Sequence, residues 1–211
     1  MIVPAVLAKE KEEFIKMLKV CKEFTNFVQI DLMDGKFVPS FSITWKDLQG
    51  IGFSLNSEAH LMVDNPLMWA QACKEFGSQR IVFHYEIEED KRKVIAEIRK
   101  MGVGVGLAVN PQTLIDEFKY LVDEVDTVLF MSVNPGFYGA KFIPAVYEKI
   151  KSFRRLYPNK KIGVDGGVKL NNVREIFEIG VDYIYVGSAI LQADNPKQAY
   201  LNFLQVLDGK R

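Results

Sequence analysis

The chain has no apolar run approaching the ~20 residues that span a bilayer, and its amino terminus, MIVPAVLAKEKEEF, lacks a basic region followed by a long apolar stretch. A membrane protein is therefore not expected, and a cytoplasmic location is. Neither sign of charge is in excess: 27 Lys and Arg balance 27 Asp and Glu, so no overall field draws in a polyanion, and nucleic acid is not an expected partner. Cysteine is scarce. Cys21 and Cys73 form no CxxC or other zinc-like spacing, and each falls inside a helical pattern, which reads as a buried free thiol. Also missing are low-complexity tracts, charge blocks and Pro/Ser-rich linkers, so residues 1–211 read as one domain. No GxxxxGK[ST] loop is present and no GxGxxG opens a helix after the first strand, which removes support for nucleotide binding. The stretch GVGVG, Gly102–Gly106, lies in the approach to a strand instead.

What is present is an alternation of short β-branched or apolar runs with longer amphipathic ones, the pattern of a parallel sheet with crossover helices. Strands are predicted at Ile2–Val6, Phe27–Asp31, Glu58–Leu61, Arg80–His84, Gly104–Val109, Thr127–Met131, Lys161–Asp165 and Tyr183–Gly187. Eight is the closure number of the (β/α)8 TIM barrel, an α/β fold. Helical periodicity is predicted over Lys9–Glu23, Pro66–Phe76, Glu89–Met101, Thr113–Val122, Pro144–Tyr157, Asn171–Ile179 and Pro196–Leu207. Asn65 and Asn195 precede Pro66 and Pro196 as helix caps, and Gly102 ends a helix. The second unit is irregular. Trp45–Gly50 leaves room for a short helix only, and the long aromatic loop Gly35–Thr44 before it is a candidate lid.

Several strands end in residues that a core strand avoids: Asp31, His60, Ser132 with Asn134, Asp165, and Gly187–Ser188. A parallel barrel gathers all carboxyl ends on one face, so these residues are expected around one pocket. Alternation points Gln29 into the barrel beside Asp31 and turns Ile30 toward the helices. Two carboxylates on such a face suit proton transfer, which makes Asp31 and Asp165 the candidate catalytic pair. His60 beside them is a candidate metal ligand, an imidazole supplementing carboxylate oxygens. His84 also ends a strand but has no evident partner along the chain, and reads as a polar tip at a wet rim. Met33, Met62 and Met131 sit at strand ends as soft walls against a reacting carbon. NPGFYG (Asn134–Gly139), DGG (Asp165–Gly167) and GSA (Gly187–Ala189) follow the last three strands, where backbone amides of this fold commonly cradle a phosphate.

The ordered segments IVPAVLA, QIDLMDGKFVPS, HLMVDNP, VNPQT, VLFMSVNPGFYGAKFIP, VDGGV and VGSAI make the chain resemble the ribulose-phosphate 3-epimerase family over essentially its whole length. The resemblance implies a ketopentose 5-phosphate, or a relative such as a ketohexose phosphate, as substrate. It implies acid/base roles for Asp31 and Asp165, with His60 and the three methionines beside the substrate. Phosphate contacts are implied from Gly136, Phe137, Tyr138, Gly139, Gly166, Gly167, Gly187 and Ser188. It further implies a divalent metal (Zn, Mn, Fe or Mg) between the aspartates, held by Asp31, His60 and Asp165, and a homo-oligomer.

Two positions depart from the family pattern. Gln29 stands where the family has a histidine ligand, and Ala5 where it has a serine that contacts substrate. A neutral carbonyl oxygen at Gln29 is a weaker donor to zinc, tilting preference toward manganese or magnesium, or toward no metal. A non-catalytic phosphate-binding barrel is the rival expectation. A decarboxylase on a similar barrel is disfavoured, because DLMDG interleaves no lysine with its aspartates.

Overall fold

In a computed structural model, which describes residues 1–52, 55–136 and 139–209, the apolar runs become strands whose order around the sheet is their order in the chain. They are β1 (Ile2–Val6), β2 (Phe27–Met33), β3 (Asn56–Met62), β4 (Ser78–His84), β5 (Gly104–Val109), β6 (Thr127–Met131), β7 (Lys161–Asp165) and β8 (Tyr183–Val186). All neighbours pair in parallel, and β8 returns to β1 to close the barrel. The (β/α)8 expectation is met, with β2, β3 and β4 longer than predicted and β8 one residue shorter.

The crossovers are α1 (Lys11–Lys22), α2 (Trp45–Leu48), α3 (Pro66–Phe76), α4 (Lys91–Lys100), α5 (Ile115–Phe118), α6 (Ala145–Leu156) and α7 (Val173–Glu178), with α8 (Ser188–Leu191) and α9 (Pro196–Asp208) after β8. Helix α1 shows the logic. Phe14, Leu18 and Cys21 fall on one face and are buried, Glu12 and Glu13 sit in the first turn, and Lys19 and Lys22 in the last, each opposing the helix dipole. Burial of each such large apolar side chain contributes about 1.5–3 kcal/mol. Asn65 and Asn195 do cap α3 and α9, accepting from Met68 N and Gln198 N at 3.2 and 3.0 Å.

The span predicted as one helix from Thr113 to Val122 divides instead. Thr113 is drawn away to Glu86, α5 starts at Ile115, and Lys119–Glu124 tightens into a 3-10 turn burying Leu121 and Val122. Helix α8 was not anticipated: four residues are too few to show periodicity. Both cysteines are buried free thiols, and burial pushes each up to about 12. Among the described residues, no helix is long and apolar enough to cross a membrane.

Two packed layers result. Outward side chains such as Ile30, Leu61, Phe83, Leu107, Phe130 and Val164 join the helices in one core. Inside the barrel, Val3, Ala5, Val82, Ala108, Leu129, Met131 and Tyr185 pack together. A Cβ on Gly106 would lie 2.8 Å from Val82 Cγ2, so the GVGVG stretch serves packing inside the barrel. At the amino-terminal end of the barrel, Arg80 Nε donates to the fully buried Glu58 at 2.7 Å and the guanidinium stacks on Tyr183.

Candidate active site

Alternation along β2 sends Val28, Ile30 and Leu32 to the helices, leaving Gln29 and Asp31 for the interior. Register then does the gathering. Asp31 is level with His60, Met33 with Met62, Asp165 with Met131, and Ala5 beside Gln29. Residues from five strands, β1, β2, β3, β6 and β7, thus meet at the carboxyl-terminal mouth.

The centre of the cluster is one amide nitrogen. Gln29 Nε2 donates to Asp31 Oδ1 at 2.9 Å and to Asp165 Oδ2 at 2.8 Å, 136 residues apart from it in the chain. His60 Nδ1 lies 3.0 Å from the same Asp31 oxygen and 3.4 Å from the same Asp165 oxygen. Each carboxylate is therefore held through its inner oxygen, which leaves Asp31 Oδ2 and Asp165 Oδ1 without a hydrogen bond among the described residues. Ser132 fixes the end of β7: its hydroxyl faces the carbonyls of Asp165 and Gly166 at 2.8 and 2.6 Å.

A cavity opens beside these two carboxylates. Asp31, Asp165, Met33, Met62 and Met131 line its base, and Gly136, Gly139, Gly166, Gly167, Gly187 and Ser188 its rim. Gly166 and Gly167 have φ of +112° and +60°, and a Cβ on Gly167 would fall 2.4 Å from Phe142 N, so no other residue fits that turn. Phe137 and Tyr138 lie outside the described residues. His60 and Gln29, both fully buried, do not line the cavity; they stand behind the two carboxylates.

The loop expected as a lid is tied at its base. Asp34 Oδ1 accepts from Lys36 N and Phe37 N, Asp34 Oδ2 accepts from Asp64 N, and Met33 N donates to Ser42 Oγ. The loop carries Val38 over the mouth, 3.0 Å from where a Cβ of Gly136 would be. The second aspartate of DLMDG is thus a loop anchor.

His84 corrects the reading of a wet rim. It is fully buried, its ring lies under Phe37, and its Nε2 is 2.9 Å from His60 Nε2. Its Nδ1 faces Glu86 Oε2 at 3.3 Å. The signal available was spacing: His84 and Glu86 are two apart at the end of the strand that pairs with the His60 strand. Lys169, on the cavity rim, was also passed over.

Electrostatics follow from the crowding. Burial, and then the charge of Asp165, hold the Asp31 carboxyl above the ordinary carboxylate range, against hydrogen bonds from His60 and Gln29. Burial alone would lower His60, but the hydrogen bonds and charges of Asp165 and Asp31 outweigh it and raise the imidazole to about 9. Burial takes His84 the other way, down to about 4.

Asp31, His60 and Asp165 each offer one ligand atom, all within 4.8 Å of one another, a set that could hold a metal ion. Gln29 adds no ligand as it stands, since its nitrogen faces the carboxylates and its Oε1 is buried without a partner. The amide would have to turn over to present oxygen.

Comparison with known proteins gives the family. Residues 1–191 match the profile of the Ribulose-phosphate 3 epimerase family. The chain is 31% identical over 205 residues to the ribulose-phosphate 3-epimerase of Mycobacterium leprae, covering 94% of this chain and 91% of that one. It is 33% identical over 209 residues to the enzyme of the same name from Escherichia coli K12, covering 94% and 92%. Among solved structures, 3-hexulose-6-phosphate synthase from Salmonella typhimurium superposes with a TM-score of 0.73 at 16% identity, over 100% of this chain and 99% of that one, a likeness of fold alone. The chain belongs to the ribulose-phosphate 3-epimerase family, and with it to the isomerases that act on carbohydrate phosphates.

Proposed function

We propose that the chain is a 3-epimerase of a ketopentose 5-phosphate, with a related ketohexose phosphate as the alternative substrate, and that Asp31 and Asp165 move the protons. The observation that carries this reading is the shared donor. Two carboxylates from β2 and β7 are held by one Gln29 nitrogen, and both line the cavity.

The reaction needs an acid and a base on opposite sides of one carbon. One ionised carboxylate takes the proton from C3, beside the ketone at C2, and the electrons of the C–H bond pass to the ketone oxygen to give an enediolate. The other carboxyl, protonated, delivers its proton to the opposite face of C3 while the electrons return from oxygen. The sugar leaves inverted, and the two aspartates have exchanged protonation states. Burial and the neighbouring Asp165 charge, which disfavour ionisation of Asp31, support a pair that shares one proton.

Met33, Met62 and Met131 keep water from the carbanionic carbon, and the glycine amides of the rim are placed to receive the phosphate. A divalent ion held by Asp31, His60 and Asp165 would supply positive charge against the enediolate oxygens when bound. With Gln29 donating from nitrogen, we infer weaker zinc binding than a histidine there would give, and a preference for manganese or magnesium.

The test is conversion of ribulose 5-phosphate before and after chelation, and with manganese, magnesium, zinc or iron(II) restored. Turnover, highest with manganese or magnesium, is expected. Sugar-phosphate binding without turnover under any metal would overturn the proposal in favour of a non-catalytic barrel.

A further inference from the structure

The geometry points to Glu86 and His84 as positioning residues that hold a hydrogen on His60 Nε2 and so make Nδ1 the nitrogen that gives its hydrogen up to a cation. The argument is one of hydrogen-bond polarity. Glu86 Oε1 accepts from Asn110 N at 2.8 Å and from the Thr113 hydroxyl, and Glu86 Oε2 faces His84 Nδ1 at 3.3 Å. A carboxylate only accepts, so His84 carries its hydrogen on Nδ1 and, as a neutral ring, shows a lone pair at Nε2. That lone pair lies 2.9 Å from His60 Nε2, and one hydrogen must stand between the two nitrogens. It belongs to His60. With Nε2–H committed to His84, the hydrogen His60 can give up is the one on Nδ1, which meets Asp31 Oδ1 and Asp165 Oδ2; a cation taking its place leaves the Nδ1 lone pair with which an imidazole ligates a metal.

The proposal rests on reading His60 as the ring that faces the shared cation site, but the measurement does not depend on turnover. The protein contains two histidines, His60 and His84, so the ring 15N signals are few and one substitution assigns them. In wild type, His84 is expected as the Nδ1–H tautomer and His60 with Nε2 protonated. Glu86→Gln should reverse the line. The amide oxygen stays with the two donors from Asn110 and Thr113, its NH2 faces His84 Nδ1, and His84 then donates from Nε2, so that His60 loses its Nε2 hydrogen and must keep the one on Nδ1 that a cation would displace. Binding of Mn2+ alone, followed by titration calorimetry, should fall about 10–100-fold.

Thr113→Val removes one donor but leaves the carboxylate, and should move neither tautomer. A wild-type His84 protonated on Nε2 and bare on Nδ1 would overturn the proposal, as would a Glu86→Gln protein with unchanged tautomers. The wild-type spectrum decides alone if Glu86→Gln does not fold. Failure to epimerise ribulose 5-phosphate with the predicted tautomers in place would count against the epimerase reading and leave this one standing.

Discussion

The barrel buries ionisable groups at both ends of its axis, and the two ends are built on opposite terms. At the amino-terminal end a single carboxylate, Glu58, meets a permanent cation, Arg80, whose guanidinium also stacks on Tyr183 and reaches Tyr185 Oη at 3.4 Å. Burial would lower the Arg80 pKa, but the Glu58 charge more than compensates and it stays charged. At the mouth two carboxylates meet a neutral amide and one imidazole, so charge balance there depends on a proton or a metal that can come and go. A cluster with a fixed counter-ion serves the fold; a cluster short of one positive charge is where chemistry can occur.

The contrast breaks if mutations at the two ends do the same thing. The largest expected effect is at the mouth: Asp31→Asn or Asp165→Asn should lower kcat by about 10²–10⁴-fold, with a smaller loss of melting temperature than at the other end, because the like-charge repulsion removed offsets the weakened His60 contact. Arg80→Met should do the reverse, costing about 3–5 kcal/mol in urea denaturation by stranding Glu58, while kcat per folded molecule holds. An Arg80→Met protein that melts normally but turns over poorly would erase the distinction.

A smaller effect separates the fixed cation from the exchangeable one. His60 is raised from 6.5 to about 9, so in chelator its contribution is fully present below pH 6.5 and is lost as pH rises through about 9, on the order of 3 kcal/mol. Urea midpoints between these limits should fall for wild type, and the slope should flatten in His60→Asn. The smallest effect concerns the amide. Gln29→His should raise zinc affinity by about tenfold or more, read by chelator competition, and an unchanged affinity would place Gln29 outside the ligand shell.

These ends were unequally legible in the sequence. Strand alternation and closure at eight placed β1, β5, β6 and β7 at their observed bounds, because buried parallel strands write themselves as continuous apolar runs. The convergence of Asp31, His60 and Asp165 was legible for a related reason: each ends such a run, and a parallel barrel brings those ends together. His84 was misread because its partners are His60 on the neighbouring strand, Phe37 above it and Glu86, itself held by Asn110 and Thr113 from the loop after β5. Only the Glu86 contact, two residues along, is a spacing in the chain; the others form across strands and loops. Gln29 was read as a carbonyl donor to metal, whereas two carboxylates within 3 Å select its nitrogen.

The most direct test of the two-aspartate claim follows deuterium rather than turnover. With each C3 epimer of the substrate in D2O, Asp31→Asn and Asp165→Asn should each still exchange the C3 hydrogen of one epimer, the two variants acting on opposite epimers, and neither should invert it. Both variants exchanging the same epimer, or either inverting C3 at the wild-type rate, would contradict the account.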